Sequence, residues 1–83
     1  MSDMDFIESE MVVIEDELTD LDMAQHHLEQ AELYLNGTKF LDIGDNNNNL
    51  NGFMMNLSHY IKEREITLEE LDDRRAVNEL FSS

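Results

Sequence analysis

Residues 3–35 read DMDFIESEMVVIEDELTDLDMAQHHLEQAELYL, and this stretch decides the fold of the 83-residue chain. It contains no proline or glycine, and its apolar residues recur at alternating steps of three and four. Such spacing places them on one side of an α-helix. In heptad notation the a positions are Met4, Met11, Leu18, Gln25 and Glu32, and the d positions are Ile7, Ile14, Leu21, Leu28 and Leu35. The sequence therefore predicts one long amphipathic helix, with Asn36 and Gly37 as its C-terminal cap.

The remainder of the chain predicts a return path along this helix. Residues 38–49 are rich in asparagine and are expected to form the connection. A second helix is expected over about residues 49–65, where 3-4 spacing joins Leu50, Phe53, Met54, Leu57, Tyr60 and Ile61. Thr67 and Glu70 match a capping box, which predicts a separate third helix over about residues 68–81. One continuous helix is the alternative.

Together these elements predict an all-α fold for a single small domain over residues 1–83. The expected architecture is an antiparallel helical hairpin with a long acidic first helix and a short third helix. Apolar residues also occur away from the a and d positions, notably Phe6, Val12 and Val13. One hairpin cannot cover both sides of its first helix. Either the third helix or the connection covers the remaining apolar side, or another chain does. That chain is expected to be a second copy, in an antiparallel dimer that forms a four-helix bundle, or a different partner protein.

Charge is distributed unevenly along the chain. The net charge is −15, and the first 38 residues contain eleven acidic side chains but no lysine or arginine. The acids fill the e positions and the first g positions of the heptad, namely Glu8, Glu15, Asp22 and Glu29 at e, and Glu10 and Glu17 at g. Like charges there disfavour parallel pairing of two first helices. Ala24 and Ala31 occupy the later g positions, so residues 24–35 are expected to hold the hairpin together while residues 3–22 face a partner.

Several classes of protein do not fit this composition. The chain has no cysteine, no basic leader at residues 1–3 and no apolar run near the ~18 residues of a membrane span, which together predict a cytoplasmic protein. No glycine-rich phosphate loop or set of nucleophile and base is present, so no enzymatic activity is expected. The basic residues are too few among the acids for direct contact with nucleic acid.

Neither a metal site nor another cofactor is expected. His26 and His27 are adjacent in sequence and therefore point about 100° apart on a helix, unlike a chelating i, i+4 pair. The asparagine-rich segment invites comparison with a calcium-binding loop, but it would place Ser58 where the terminal bidentate acid belongs.

The acidic first helix has a charge spacing close to that of DNA. Its eleven acids, from Asp3 to Glu32, span roughly 45 Å at 1.5 Å per residue, about one per 4 Å. One DNA strand carries a phosphate every ~3.4 Å. In composition and size the chain resembles the small acidic DNA-mimic inhibitors that phages encode against restriction, CRISPR or host DNA-binding enzymes. This is a resemblance of class, without a shared motif. It implies a non-enzymatic inhibitor that occupies the basic channel of a DNA- or RNA-handling protein, in the host cytoplasm if the chain is phage-encoded.

The candidate partner-binding residues lie in the first half of the first helix. They combine carboxylates, which supply charge, with an apolar anchor, and comprise Glu8, Glu10, Glu15, Asp16, Glu17, Asp20 and Asp22 together with Phe6, Val12 and Val13. The alternative hypothesis is a dimeric helical adaptor, assembly factor or chaperone, in which the acids only provide solubility. Both hypotheses predict a protein partner, and neither predicts direct binding to nucleic acid or to a membrane.

Overall fold

The computed structural model describes residues 3–82 as two long antiparallel helices joined by a short connection. Helix α1 spans Asp3–Leu35, a 3₁₀ turn spans Phe40–Asp42, and helix α2 spans Asn46–Ser82. The hairpin is a rod that measures 62 × 17 × 16 Å. No strand occurs within residues 3–82, so the predicted all-α class and the hairpin are confirmed.

Burial along α1 follows the predicted heptad. Every a and d residue from Met4 to Leu35 is buried or half-buried, whereas the other described side chains of the helix are exposed, except that of Glu17. A repeat averaging 3.5 residues keeps one stripe directed at a partner helix over this whole length. The seam predicted for α1 is therefore confirmed.

Helix α2 has a heptad of its own that extends further than its apolar residues suggest. The buried and half-buried positions that keep the 3-4 spacing are Leu50, Met54, Leu57, Ile61, Arg64, Leu68, Leu71, Arg75 and Asn78. Three of these residues are polar, which hid the second half of the repeat in the sequence. Met54 and Ile61 take a positions and Leu57 and Arg64 take d positions in this repeat.

The predicted break between a second and a third helix is wrong, because α2 continues through residues 68–81. The Thr67 hydroxyl donates a hydrogen bond to the Glu63 carbonyl oxygen, 3.0 Å away, as threonine does inside a helix. Leu68 and Leu71 pack on the buried side chains of α1. This packing stabilises the helix across the capping-box sequence, since tertiary contacts outweigh local signals in helix formation.

The connection between the helices covers residues 36–45. Helix α2 begins at Asn46, about three residues before the predicted start. The Asn46 side-chain amide donates a hydrogen bond to the Phe40 carbonyl oxygen at 3.0 Å, and Leu41 is buried beneath the turn. Helix α1 ends where predicted, but the glycine with a left-handed backbone is Gly44, at φ 54°, and not Gly37.

The best-buried part of the seam lies at the end of the rod remote from the connection. Ile7, Met11, Ile14 and Leu71 form a buried cluster there, and the two isoleucines are 0% and 1% exposed. The expectation that residues 24–35 hold the hairpin together is therefore wrong. The seam in that segment is only half-buried and includes the polar side chains at positions 25 and 32. Each buried isoleucine contributes about 1.5–3 kcal/mol through removal of apolar surface from water.

Candidate functional site

The antiparallel arrangement gives the hairpin two distinct sides. Because α2 runs in the opposite direction to α1, the e positions of the two helices lie beside each other, and so do their g positions. On one side the g residues Glu17 and Tyr60 share a hydrogen bond. On the other side the e residues Glu15, Glu65 and Asp72 line a common groove. We call the side formed by the e and b positions the acidic side, and the side formed by the g and c positions the aromatic side.

The acidic side carries carboxylates from both helices. Seven of its nine e positions are acidic and exposed, namely Glu8, Glu15, Asp22, Glu29, Glu65, Asp72 and Glu79. The g positions, in contrast, include two alanines, two phenylalanines and a tyrosine. Over residues 4–81 the formal charges sum to −8 on the acidic side and −4 on the aromatic side, so the acidic side is the more negative.

The register of the hairpin concentrates these carboxylates in one half of the rod. Gln25 donates a hydrogen bond to the Ser58 hydroxyl at 2.9 Å, and Glu17 contacts Arg64. The last turns of α2 are consequently level with the first turns of α1. Seven acids on this side then occupy about 14 residues of helix, or roughly 21 Å, so neighbouring carboxylates are about 3.5 Å apart along the axis on average. These seven are Asp5, Glu8, Glu15, Glu65, Glu69, Asp72 and Glu79.

An open groove of about 380 Å³ runs through this stretch. Its apolar lining is provided by Met11 and Leu68, and its acidic lining by Glu15, Glu65, Glu69 and Asp72. Arg75 lies at the edge, where its guanidinium group pairs with Asp72 at 2.6 Å. Both of these side chains remain substantially exposed, so the pair contributes little to stability. An apolar floor with carboxylate walls suits a long basic side chain, which buries its methylene groups and keeps its charged end beside carboxylates.

On the aromatic side, Glu17 bridges the two helices. Arg64 Nε donates to Glu17 Oε1 at 2.7 Å, and the Tyr60 hydroxyl donates to Glu17 Oε2 at 2.8 Å. The hydrogen bond from Tyr60, followed by that from Arg64, lowers the pKa of Glu17 against the opposing effect of desolvation. The same hydrogen bond raises the pKa of Tyr60. Both carboxylate oxygens of Glu17 are thus used within the hairpin.

The candidate partner-binding residues predicted from the sequence are divided between different sides of the rod. Glu8, Glu15 and Asp22 lie on the acidic side with Val12 at its edge, and Asp16 points outward from α1. Glu10, Glu17, Asp20, Phe6 and Val13 belong to the aromatic side. Phe6, Val12 and Val13 are all more than half exposed, as the sequence predicted. The ten residues therefore do not form one continuous surface.

The contribution of α2 to the acidic side was not predicted from the sequence. Glu65, Glu69 and Asp72 keep 4-3 spacing, but this signal is visible only if residues 46–82 are treated as one helix. Division of that segment at Thr67 placed these acids on two different helices and concealed their common side.

The histidines do not converge in the hairpin. The rings of His26 and His27 have centroids 5.8 Å apart and planes tilted by 59°, and His59 takes an outward f position on α2. Within residues 3–82, no group of three or more histidine, aspartate or glutamate side chains is arranged to hold a metal ion. In the same part of the chain, neither helix has an apolar stretch long enough to cross a membrane.

Comparisons of the chain with protein-family models, with curated proteins and with solved structures give no match.

Proposed function

We propose that this protein is a non-enzymatic inhibitor that binds the basic nucleic-acid channel of a DNA- or RNA-handling protein through its acidic side. The observation that carries the proposal is the carboxylate-walled groove, with its apolar floor of Met11 and Leu68, set in the densest run of acids. A restriction or CRISPR effector would be such a target, and the encounter would take place in the cytoplasm.

Charge spacing supports this mode of binding. The seven carboxylates of this run follow one another at about 3.5 Å along the axis on average, compared with ~3.4 Å between phosphates of one DNA strand. Arginine and lysine side chains that are spaced for phosphates can therefore meet carboxylates at similar intervals. A stiff rod presents these charges without the entropic cost of ordering a flexible chain on binding.

The groove would supply the affinity that surface charge alone does not provide. Exposed charges mainly increase the association rate and orient the partner, whereas buried anchors carry most of the binding energy. We expect a partner arginine or lysine to lay its aliphatic part on Met11 and Leu68 and to direct its charge to Glu15 or Glu69. The anchor of the proposed interface is therefore expected at residues 11–15 and 65–72, and not at Phe6, Val12 and Val13.

The test uses two variants matched in helix, residue type and net charge. The first, E65Q with E69Q, neutralises the groove walls; the second, E63Q with E70Q, neutralises two exposed c positions on the aromatic side. The immobilised chain is exposed to a panel of purified restriction endonucleases and CRISPR effectors at ~0.1 M salt, with duplex DNA as competitor. We expect the groove variant to lose about tenfold in affinity, or about 1.4 kcal/mol, and the control to lose much less.

Salt and nucleic acid provide the second readout. Binding should weaken steeply as salt rises, and the nucleic acid of the target should displace the protein, because both compete for the same basic residues. Equal losses in the two variants, or binding that persists at ~0.5 M salt and ignores added DNA, would count against the proposal.

The dimeric adaptor, assembly factor or chaperone is the second candidate function. It is favoured by the exposure of Phe6, Val13 and Phe53 on the aromatic side. In that case V13D should abolish assembly, while E65Q with E69Q should leave it intact.

A further inference from the structure

Half of the aromatic side carries no formal charge, although the chain as a whole has a net charge of −15. This half lies next to the connection. Its eight residues are exposed and comprise Ala24, His27, Ala31 and Tyr34 of α1 with Asn49, Phe53, Asn56 and Tyr60 of α2. The exposed fractions of Tyr34, Phe53 and Tyr60 are 80%, 58% and 42%. Because this surface is uncharged, it does not attract a basic partner electrostatically, and another uncharged surface can bind it equally well.

Small and large side chains alternate across this surface. Ala24 and Ala31 occupy g positions of α1, and Tyr60 and Phe53 occupy g positions of α2 at nearly the same two levels of the rod. A depression on one helix therefore lies beside a projection on the other. Rotation of a second hairpin by 180° about the long axis of the rod brings each projection of one copy over a depression of the other.

We propose that two copies of this chain pair through their aromatic sides, with parallel rods and a two-fold axis along the rod. In the resulting four-helix bundle, α1 of each copy packs against α2 of the other copy, so all neighbouring helices are antiparallel. Ala31 receives Phe53 of the second copy, and Ala24 receives Tyr60 of the second copy.

The other half of the aromatic side is more acidic, with a formal charge of −4 on each copy, and matches itself only in part in the same arrangement. Phe6 and Val77, which are 58% and 48% exposed, are level with each other and would meet across the two-fold axis. Glu10 is level with Arg74, so each copy would bring an acid of α1 near a base of α2 of the other copy. Asp20 and Glu63 are also level and would repel each other, which predicts that salt strengthens the dimer by screening.

The available area meets the requirement of a stable dimer. A side 62 Å long and 16 Å wide covers up to about 1,000 Å² on each copy, or ~2,000 Å² in total. Stable interfaces bury ~1,200–2,000 Å² in total. Two thirds of this side would therefore still supply the area of a stable interface. Both acidic sides remain at the outer edges of such a bundle. The proposed inhibitor function and the proposed dimer therefore do not depend on each other.

Sedimentation equilibrium of the purified chain tests the proposal. The wild type should have twice the monomer mass of 9.7 kDa at micromolar concentration. F53K should raise the dimer dissociation constant at least ~30-fold, as expected for loss of an aromatic anchor. M55K is the matched control, since Met55 is 64% exposed on the same helix but at a b position on the acidic side.

A second pair of variants repeats the comparison on α1. A31E should dissociate the dimer, whereas L33E changes an exposed residue at a b position and should not. Circular dichroism of each variant should show the helix content of the wild type, since all four substituted positions are exposed. A wild-type chain that is monomeric at ~200 µM, or equal effects of the members of either pair, would overturn the proposal.

The orientation of the rods is tested by spin labels at Q30C, on the outer surface of α1. Parallel rods place the two labels roughly 20–30 Å apart, across the width of a four-helix bundle. Antiparallel rods that overlap fully would add about 30 Å along the axis, because Gln30 lies about ten residues from the middle of the rod, and would separate the labels by ~35–40 Å overall. A distance in the longer range would overturn the proposed two-fold axis.

Discussion

The continuity of α2 at Thr67 can be tested by the sign of one stability difference. The variants T67A and T67D both remove the half-buried γ-methyl group, so the loss of its packing largely cancels when they are compared. They differ in what they do to the backbone. Aspartate is a good N-cap residue and a poor residue in the interior of a helix, whereas alanine has the opposite preferences.

The structure predicts that T67D is less stable than T67A. In a helix interior, aspartate is less favourable than alanine by about 0.6 kcal/mol. Position 67 is also four residues after Glu63 and three before Glu70, which repel an aspartate, and three after Arg64, which attracts it; at ~0.2–0.5 kcal/mol for each pair, the net cost is a further ~0.2–0.5 kcal/mol. The expected difference in the free energy of unfolding is therefore about 1 kcal/mol in favour of T67A. If Thr67 capped a separate helix, T67A would instead be the less stable variant by about 1 kcal/mol.

Urea unfolding at pH 7, followed by circular dichroism at 222 nm, measures this difference. The expected gap corresponds to roughly 4–8 °C in the midpoint of thermal unfolding for a domain of this size. Both variants should unfold with the slope of the wild type, because a continuous helix exposes the same surface on unfolding. A T67D variant that is more stable than T67A would refute the assignment of residues 46–82 to one helix.

Two further predictions concern the packing seam and the bridge between the helices. I14A should lower the free energy of unfolding by about 2–4 kcal/mol, whereas V12A, at an exposed position on the acidic side, should change it by less than ~0.5 kcal/mol; similar losses in urea unfolding would contradict the seam. Y60F should raise the pKa of Glu17 toward its ordinary value, as measured by carboxyl ¹³C titration. Because the folded pKa of Glu17 is lowered, the stabilisation from Tyr60 should be full at pH 7 and should decline as pH falls through that pKa. A stability difference between wild type and Y60F that is greater in acid than at neutral pH would exclude this bridge.

The two helices differ in how far their sequences predicted them. Helix α1 was predicted with its seam and its end at Leu35. Its apolar repeat can be recognised within one segment, without knowing which helix packs against it. Helix α2 was predicted only in part. Arg64 and Arg75 interrupt its apolar repeat, and Thr67 with Glu70 imitates a helix start. Only the packing of Leu68 and Leu71 on Ile7 and its neighbours shows that residues 46–82 form one helix.

The candidate site was predictable in chemistry but not in position. A surplus of carboxylates and the exposure of Val12 and Val13 follow from residue types and helical spacing. Residue types and spacing do not show which carboxylates lie on the same side of the rod. Glu15 and Glu65 are fifty residues apart in the chain and line the same groove only because of the hairpin register. The same register directs Glu17 to Tyr60 and Arg64 and thereby removes it from the exposed acids.

The sequence by itself determined an acidic helical rod, because helical periodicity and net charge are sums over neighbouring residues. The tertiary structure decided that this rod has an acidic side and an aromatic side. That distinction depends on the direction in which α2 returns and on the level at which it packs. Both are set by contacts between residues far apart in the chain, such as Gln25 with Ser58, and no local pattern contains them.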